Sequence, residues 1–201
     1  MLSRAAASVA SRLPVEVILA PPHPLLGLVA SQVEIEVFSQ SVSENRIGPS
    51  TGAVLPEAVS AAGGRGTLLN HSEAPIGRAR VAELLPRLRK LNLKVCLCAK
   101  TAEEAQDLST LGPDFIAVEP PELIGSGVAV SNARPELLSD TVLGARKAGY
   151  AGRILCGAGI VEGRDVERAV ELGVEGVLVA SSVVKAKDWT SKIGELAEAL
   201  A

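Results

Sequence analysis

The stretch Asp114–Gly127 reads D-F-I-A-V-E-P-P-E-L-I-G-S-G. Phe115, Ile116, Ala117 and Val118 are four apolar residues in succession, the pattern of a short strand buried on both faces. Glu119 ends the run, and Pro120-Pro121 prevents the ladder from continuing. Gly125-Ser126-Gly127 then supplies a soft, polar point. A carboxylate at the mouth of a buried strand thus opens a loop stiffened at one end and glycine-rich at the other. A catalytic base under a hinged lid has this form. A strand-ending glutamate in water, followed by an ordinary turn, has it too, so the remaining sequence must decide.

The same strand-then-helix rhythm runs outward in both directions. Strands are expected at Val15–Ala20, Ile35–Gln40, Gly66–Asn70, Lys94–Ala99, Phe115–Val118, Arg153–Cys156 and Val174–Ala180, seven in all. Helices are expected at 2–12, 25–32, 55–62, 78–91, 101–111, 135–148, 162–172 and 189–200. Thr101 and Glu104 form an expected capping box, and Pro86 is a candidate kink in the helix around it. Regular alternation implies a parallel α/β fold, either an open doubly wound sheet or a closed (β/α)₈ barrel. No G-x-G-x-x-G follows the first strand, which weakens the dinucleotide-binding reading. No composition break divides the 201 residues, so a single domain over 1–201 is expected.

Composition narrows the function. Hydrophobic residues make up 47% of the chain but aromatics only 2%, which suits an aliphatic core of helices on parallel strands. A formal charge of -3 offers no basic surface for nucleic acid. No apolar run reaches the roughly 18 residues needed to span a bilayer, so no membrane partner is expected. The three cysteines lack metal-ligand spacing and read as reduced, buried thiols of a cytoplasmic protein, with zinc as the alternative. Met1–Leu13 is rich in Ala, Ser and Arg without an acid, a composition shared by presequences and by good helices; the helix is expected.

Chemistry in parallel α/β folds gathers at the carboxyl ends of strands. Four such ends are unusual: Asn70-His71-Ser72-Glu73, Glu119 with its loop, Gly157-Ala158-Gly159, and Ala180-Ser181-Ser182. Together they place an acid/base pair, a lid and an anion seat on one face. That set fits proton abstraction beside the carbonyl of a small phosphorylated substrate.

The motifs A-V-E-P-P-E-L-I-G-S-G (117–127), G-T-L-L-N-H-S-E (66–73), L-C-G-A-G-I (155–160), S-T-G-A-V-L-P-E-A (50–58) and G-V-L-V-A-S-S-V-V-K-A (176–186) carry a resemblance. The chain resembles triosephosphate isomerases of the short archaeal type, over nearly its whole length and in order. The resemblance implies a TIM barrel and interconversion of dihydroxyacetone phosphate and D-glyceraldehyde 3-phosphate through an enediolate. It implies Glu119 as base and His71 as neutral electrophile, with Ser72 and Glu73 orienting the histidine's surroundings. Backbone N–H groups of Ile124, Gly159, Ala180 and Ser181 are implied to hold the phosphate. No metal or organic cofactor is implied. A cytoplasmic homo-oligomer, tetramer or dimer, acting in glycolysis and gluconeogenesis is implied.

One departure is large. The family opens on a strand ending in Asn-x-Lys, whose lysine reaches the substrate, whereas this sequence opens on a helix. Lys90, Lys94 and Lys100 lie on other elements. The barrel is therefore expected to lack its first strand. Either Met1 is internal to a longer chain, the expected case, or the chain as written is an inactive phosphate-binding relic. Another phosphosugar-handling barrel is the remaining alternative. Ser182, where archaeal relatives usually carry Gly, and Ala74-Pro75, where the family carries basic residues, are smaller departures.

Overall fold

A computed structural model describes residues 1–201. The chain alternates as expected: α1 (Leu2–Ala10), α2 (Leu26–Ala30), β1 (Phe38–Ser39), α3 (Pro56–Ala61), β2 (Gly66–Leu69), α4 (Gly77–Lys90), β3 (Lys94–Ala99), α5 (Ala102–Ser109) and β4 (Phe115–Val118). Then come α6 (Val130–Ala133), α7 (Pro135–Lys147), β5 (Arg153–Cys156), α8 (Gly163–Glu171), β6 (Gly176–Val177), α9 (Ser181–Val184) and α10 (Trp189–Glu198). Pro86 lies inside α4, which runs through it.

The six strands form one parallel sheet in sequence order. Registers run from Phe38 beside Gly66, through Leu69 beside Leu97 and Val118 beside Cys156, to Cys156 beside Val177. Of the seven expected strands, Val15–Ala20 is the one that does not enter the sheet as a strand. It meets β1 through a single parallel bridge, Leu19 to Val37. Leu19 N–H donates to Glu36 O at 3.0 Å and Phe38 N–H donates to Leu19 O at 2.7 Å. The expected strand at 174–180 shortens in the same way to Gly176–Val177. Both segments lie at an edge, with a neighbour on one side only, and an unpaired edge does not sustain a long ladder.

The sheet curls. Phe38 on β1 and Phe115 on β4 stand edge to face with ring centroids 6.2 Å apart. Three strand spacings in a flat sheet would separate them by ~14 Å. Around these rings an interior cluster gathers Cys96, Cys98 and Ala117, with Ile18 and Ala20 from one edge and Leu178 from beyond the other. The floor is polar. Lys94 Nζ contacts Glu16 at 3.1 Å and Glu36 at 2.9 Å, and Arg153 on β5 pairs with the same Glu16.

Outside, the helices form a larger apolar layer with the backs of the strands. α1 presents Ala6 and Val9, completely buried, and packs against α10, whose Ile193, Leu196 and Ala197 are buried. The helical ring therefore closes between its first and last members, while the sheet inside stays open between Val15–Ala20 and β6. This is a curled parallel (β/α) sheet of the barrel type, in which Val15–Ala20 and β6 are not paired to each other.

Candidate active site

β2 and β4, separated by β3, carry the acid–base pair. Glu119 directly follows β4. Its N–H donates to Ala99 O at 2.8 Å, and Gly157 N–H donates to Val118 O at 2.9 Å, so the backbone beside the carboxylate is held from both neighbouring strands. The Glu119 side chain is only 2% exposed, and its Oε2 has no hydrogen-bond donor. Burial is the largest influence on its titration and pushes the carboxyl above the ordinary value. The Cys98 thiol pulls the other way, as does the His71 ring whenever it is protonated, and the Glu73 carboxylate adds to the rise. A base raised toward neutrality holds an abstracted proton more readily than a solvated carboxylate does.

His71 follows β2 and brings Nε2 to 3.4 Å from Glu119 Oε2. Glu73 N–H donates to Nδ1 of the same ring at 3.2 Å. With Nδ1 accepting, the neutral imidazole carries its proton on Nε2, facing Glu119. Of the two residues expected to orient the histidine's surroundings, Glu73 meets the ring through its backbone N–H; its carboxylate stays 3.7 Å from Nδ1 and 83% exposed.

The turn that delivers His71 is unusual. Asn70 has φ 60°, a left-handed conformation that Asn tolerates better than most side chains. Asn70 is buried and spends its whole carboxamide on neighbours. Its Nδ2 donates to Cys98 O and to Glu104 Oε1, both at 3.0 Å. Its Oδ1 accepts from Ile76 N–H at 3.1 Å and Gly77 N–H at 3.0 Å. The expected capping box at Thr101 is half formed: Thr101 Oγ1 accepts from Glu104 N–H, but the Glu104 carboxylate turns to Asn70 and to Lys100 N–H.

Gly157 and Gly159 serve space as much as the turn. A Cβ on Gly157 would fall 2.3 Å from Glu119 Cγ. One on Gly159, at φ 74°, would fall 1.8 Å from the Val128 carbonyl oxygen at the far end of the lid. The two glycines let the base and the lid approach the end of β5 at once.

The residues expected to seat an anion divide into two groups. The N–H groups of Gly159 and Ala180 donate to no protein acceptor, and Ser181 opens the four-residue α9, where N–H groups have no acceptor within the helix. In the lid, Ile124 N–H donates to Pro121 O at 3.3 Å and is occupied. A groove of about 470 Å³ runs between the lid tip, Gly125 and Gly127, and α9 and α10, with Ser181, Ser182 and Lys185 on its walls. His71 borders a separate recess of about 290 Å³ beside residues 40–44 and 52–54. Of the three lysines considered from sequence, Lys94 is engaged at the floor with Glu16 and Glu36, and Lys90 ends α4. Lys100 alone follows the carboxyl end of a strand.

Glu104 lay outside the site expected from sequence, and Asn70 and Gly157 lay within its loops without a role of their own. Asn70 was visible only as a strand end and Gly157 only as part of a turn, while Glu104 carried a local capping signal that concealed a contact 34 residues away.

Comparison of the whole chain with known proteins identifies its family. The family model for triosephosphate isomerase matches residues 1–197. A triosephosphate isomerase of Cenarchaeum symbiosum is 46% identical over 99% of this chain and 89% of its own length. That of Methanothermus fervidus is 43% identical over 90% of this chain and 82% of its own, and that of Caldivirga maquilingensis 40% over 99% and 88%. The chain belongs to the triosephosphate isomerase family.

Proposed function

We propose that Glu119 and His71 are the base and the electrophile of the triosephosphate isomerase reaction, the interconversion of dihydroxyacetone phosphate and D-glyceraldehyde 3-phosphate. The observation that carries the assignment is the 3.4 Å approach of His71 Nε2 to a buried, donor-free carboxylate oxygen of Glu119. Glu119 takes a proton from the carbon beside the substrate carbonyl while His71 Nε2–H donates a hydrogen bond to the carbonyl oxygen. The electron pair of the broken C–H bond moves into an enediolate. Glu119 then returns the proton to the neighbouring carbon, and the hydroxyl proton changes oxygen, so no group is gained or lost.

The free N–H groups of Gly159 and Ala180, with Ser181 at the start of α9, support a phosphate seat at the ends of the last two strands. Ile124 joins them when the turn at Pro121–Leu123 releases its N–H, and the lid then shields the enediolate from water. The chemistry needs no metal or organic cofactor. Three buried, unpaired thiols support a cytoplasmic setting. The family resemblance supports a homo-oligomer, tetramer or dimer, which light scattering on the purified chain tests.

Glu119→Gln keeps the shape and removes the base. Isomerase turnover is expected to fall by ~10²–10⁴. A fall smaller than about tenfold would remove Glu119 from the role of base. A wild-type chain that binds a phosphorylated enediolate mimic no more tightly than inorganic phosphate would be the relic instead.

A further inference from the structure

His71 reaches Glu119 only because the chain reverses at Asn70, and Asn70 is not free to choose its orientation. Its two amide hydrogens meet two acceptors and its carbonyl oxygen meets two N–H donors, which is the full capacity of a carboxamide. Rotating the amide by half a turn would set Nδ2 against the Ile76 and Gly77 N–H groups and Oδ1 against Cys98 O and Glu104. The network therefore ties the end of β2 to the start of α4 and to the end of β3. Its only charged member is Glu104, which is half-buried on α5. One carboxylate oxygen accepts from Asn70 and the other from Lys100 N–H at 2.8 Å, both in hydrogen bonds strengthened by the charge.

We infer that Glu104 is a positioning residue for His71: through Asn70 it holds the left-handed turn that aims the imidazole at the reacting atoms. The inference rests on the reading of His71 as electrophile. A helix cap alone does not account for the arrangement. Thr101 already caps α5, and a reciprocal box would send the Glu104 carboxylate to Thr101 N–H rather than one residue back and across to Asn70.

Glu104→Gln separates the two roles, because a carboxamide has one accepting oxygen and the site asks for two. In the full chain, well below the melting temperature, kcat is expected to fall roughly tenfold with KM for the triose phosphate within about twofold, since the misplaced group does not touch the phosphate. The chain has two histidines, so the ring Cε1–H resonances are read directly: that of His71 is displaced and that of His23 is not. Thr101→Ala, which removes the cap, lowers the melting temperature and leaves kcat and the His71 resonance in place. The double variant Asn70→Asp/Glu104→Gln reverses the donor and acceptor between the two side chains. It is expected to recover activity relative to Asn70→Asp.

The inference is overturned if Glu104→Gln behaves as Thr101→Ala does, less stable but with kcat and the His71 resonance unchanged, or if the double variant shows no recovery. If the wild-type chain turns over no triose phosphate, the functional reading fails separately, and the His71 resonance still decides whether Glu104 sets the ring.

Discussion

The arc from β2 to β5 and the seam between Val15–Ala20 and β6 are built from similar aliphatic sequence, yet they hold together differently. In the arc every strand has a neighbour on both sides, and Ile116, Ala117, Val118 and Ile154 are completely buried. At the seam one segment pairs through a single bridge and the other through two residues. The acid–base pair stands on the arc, where its backbone is fixed by ladder bonds. Ala180 and Ser181 stand just past the seam, where N–H groups remain unsatisfied. Precision for proton transfer thus comes from paired strands, whereas the donors suited to an anion, Gly159 beyond β5 as well as Ala180 and Ser181, are left over in the loops past the strand ends. An unpaired N–H is a cost to the fold and a resource for binding.

The sharpest way to break this contrast is to disturb the arc by one methyl group. Gly157→Ala places a Cβ 2.3 Å from Glu119 Cγ, so the carboxylate must shift by about 1 Å. Turnover is expected to drop by about 10²-fold while the melting temperature changes little. Unchanged turnover would mean that the arc does not hold Glu119 in its working position.

A second test sets function against stability at Glu119. Burial raises its folded-state pKa above the ordinary 4.5, so the folded chain binds this proton more tightly than the unfolded chain does. The contribution to stability is therefore present at low pH and lost as pH rises from about 4.5 through the folded value. The acid limb of kcat/KM is expected above 4.5. At neutral pH, Glu119→Gln is expected to be more stable than wild type by roughly 1 kcal/mol while having lost its turnover. Lower stability of that variant at pH 7 would contradict a cost of burying this carboxylate without a donor.

The smallest effect belongs to the floor beneath the seam. Burial works against the Glu16 charge, but the hydrogen bonds and charges of Lys94 and Arg153 outweigh it and hold this carboxyl below the ordinary range. Here the sign is opposite: the stabilisation is present above about 4.5 and is lost as pH falls through the folded value. Glu16 is about a third exposed, so Glu16→Gln is expected to cost roughly 1 kcal/mol near neutrality and less in acid. Denaturant titrations across the acid range check both variants.

How much could be read in advance follows the same division. Lys94–Ala99 and Phe115–Val118 were legible to the residue because strands buried on both faces leave a nearly continuous apolar run, and Arg153–Cys156 because its short apolar run is bounded by a glycine on each side. Val15–Ala20 carries an equally good run, but a ladder needs a partner, and partners are not written in the strand itself. His71 and Glu119 were legible as side chains at strand ends. The free N–H groups of Gly159 and Ala180 are backbone properties that only the turn geometry reveals. Glu104 shows a local signal misleading about its long-range partner, since Thr-x-x-Glu announces a cap whether or not the carboxylate closes it.

The three thiols turn the open seam into something measurable. Cys96 and Cys98 face the barrel interior, whereas Cys156 belongs to the layer between sheet and helices. All are buried, with Cys156 pushed up to about 11 by burial and Cys98 raised by Cys96 and burial together. Alkylation of such groups proceeds only while the protein is transiently open. The relative rates at the interior pair and at Cys156 therefore time two kinds of breathing, one of the barrel interior and one beneath the helices, with no residue introduced into the chain.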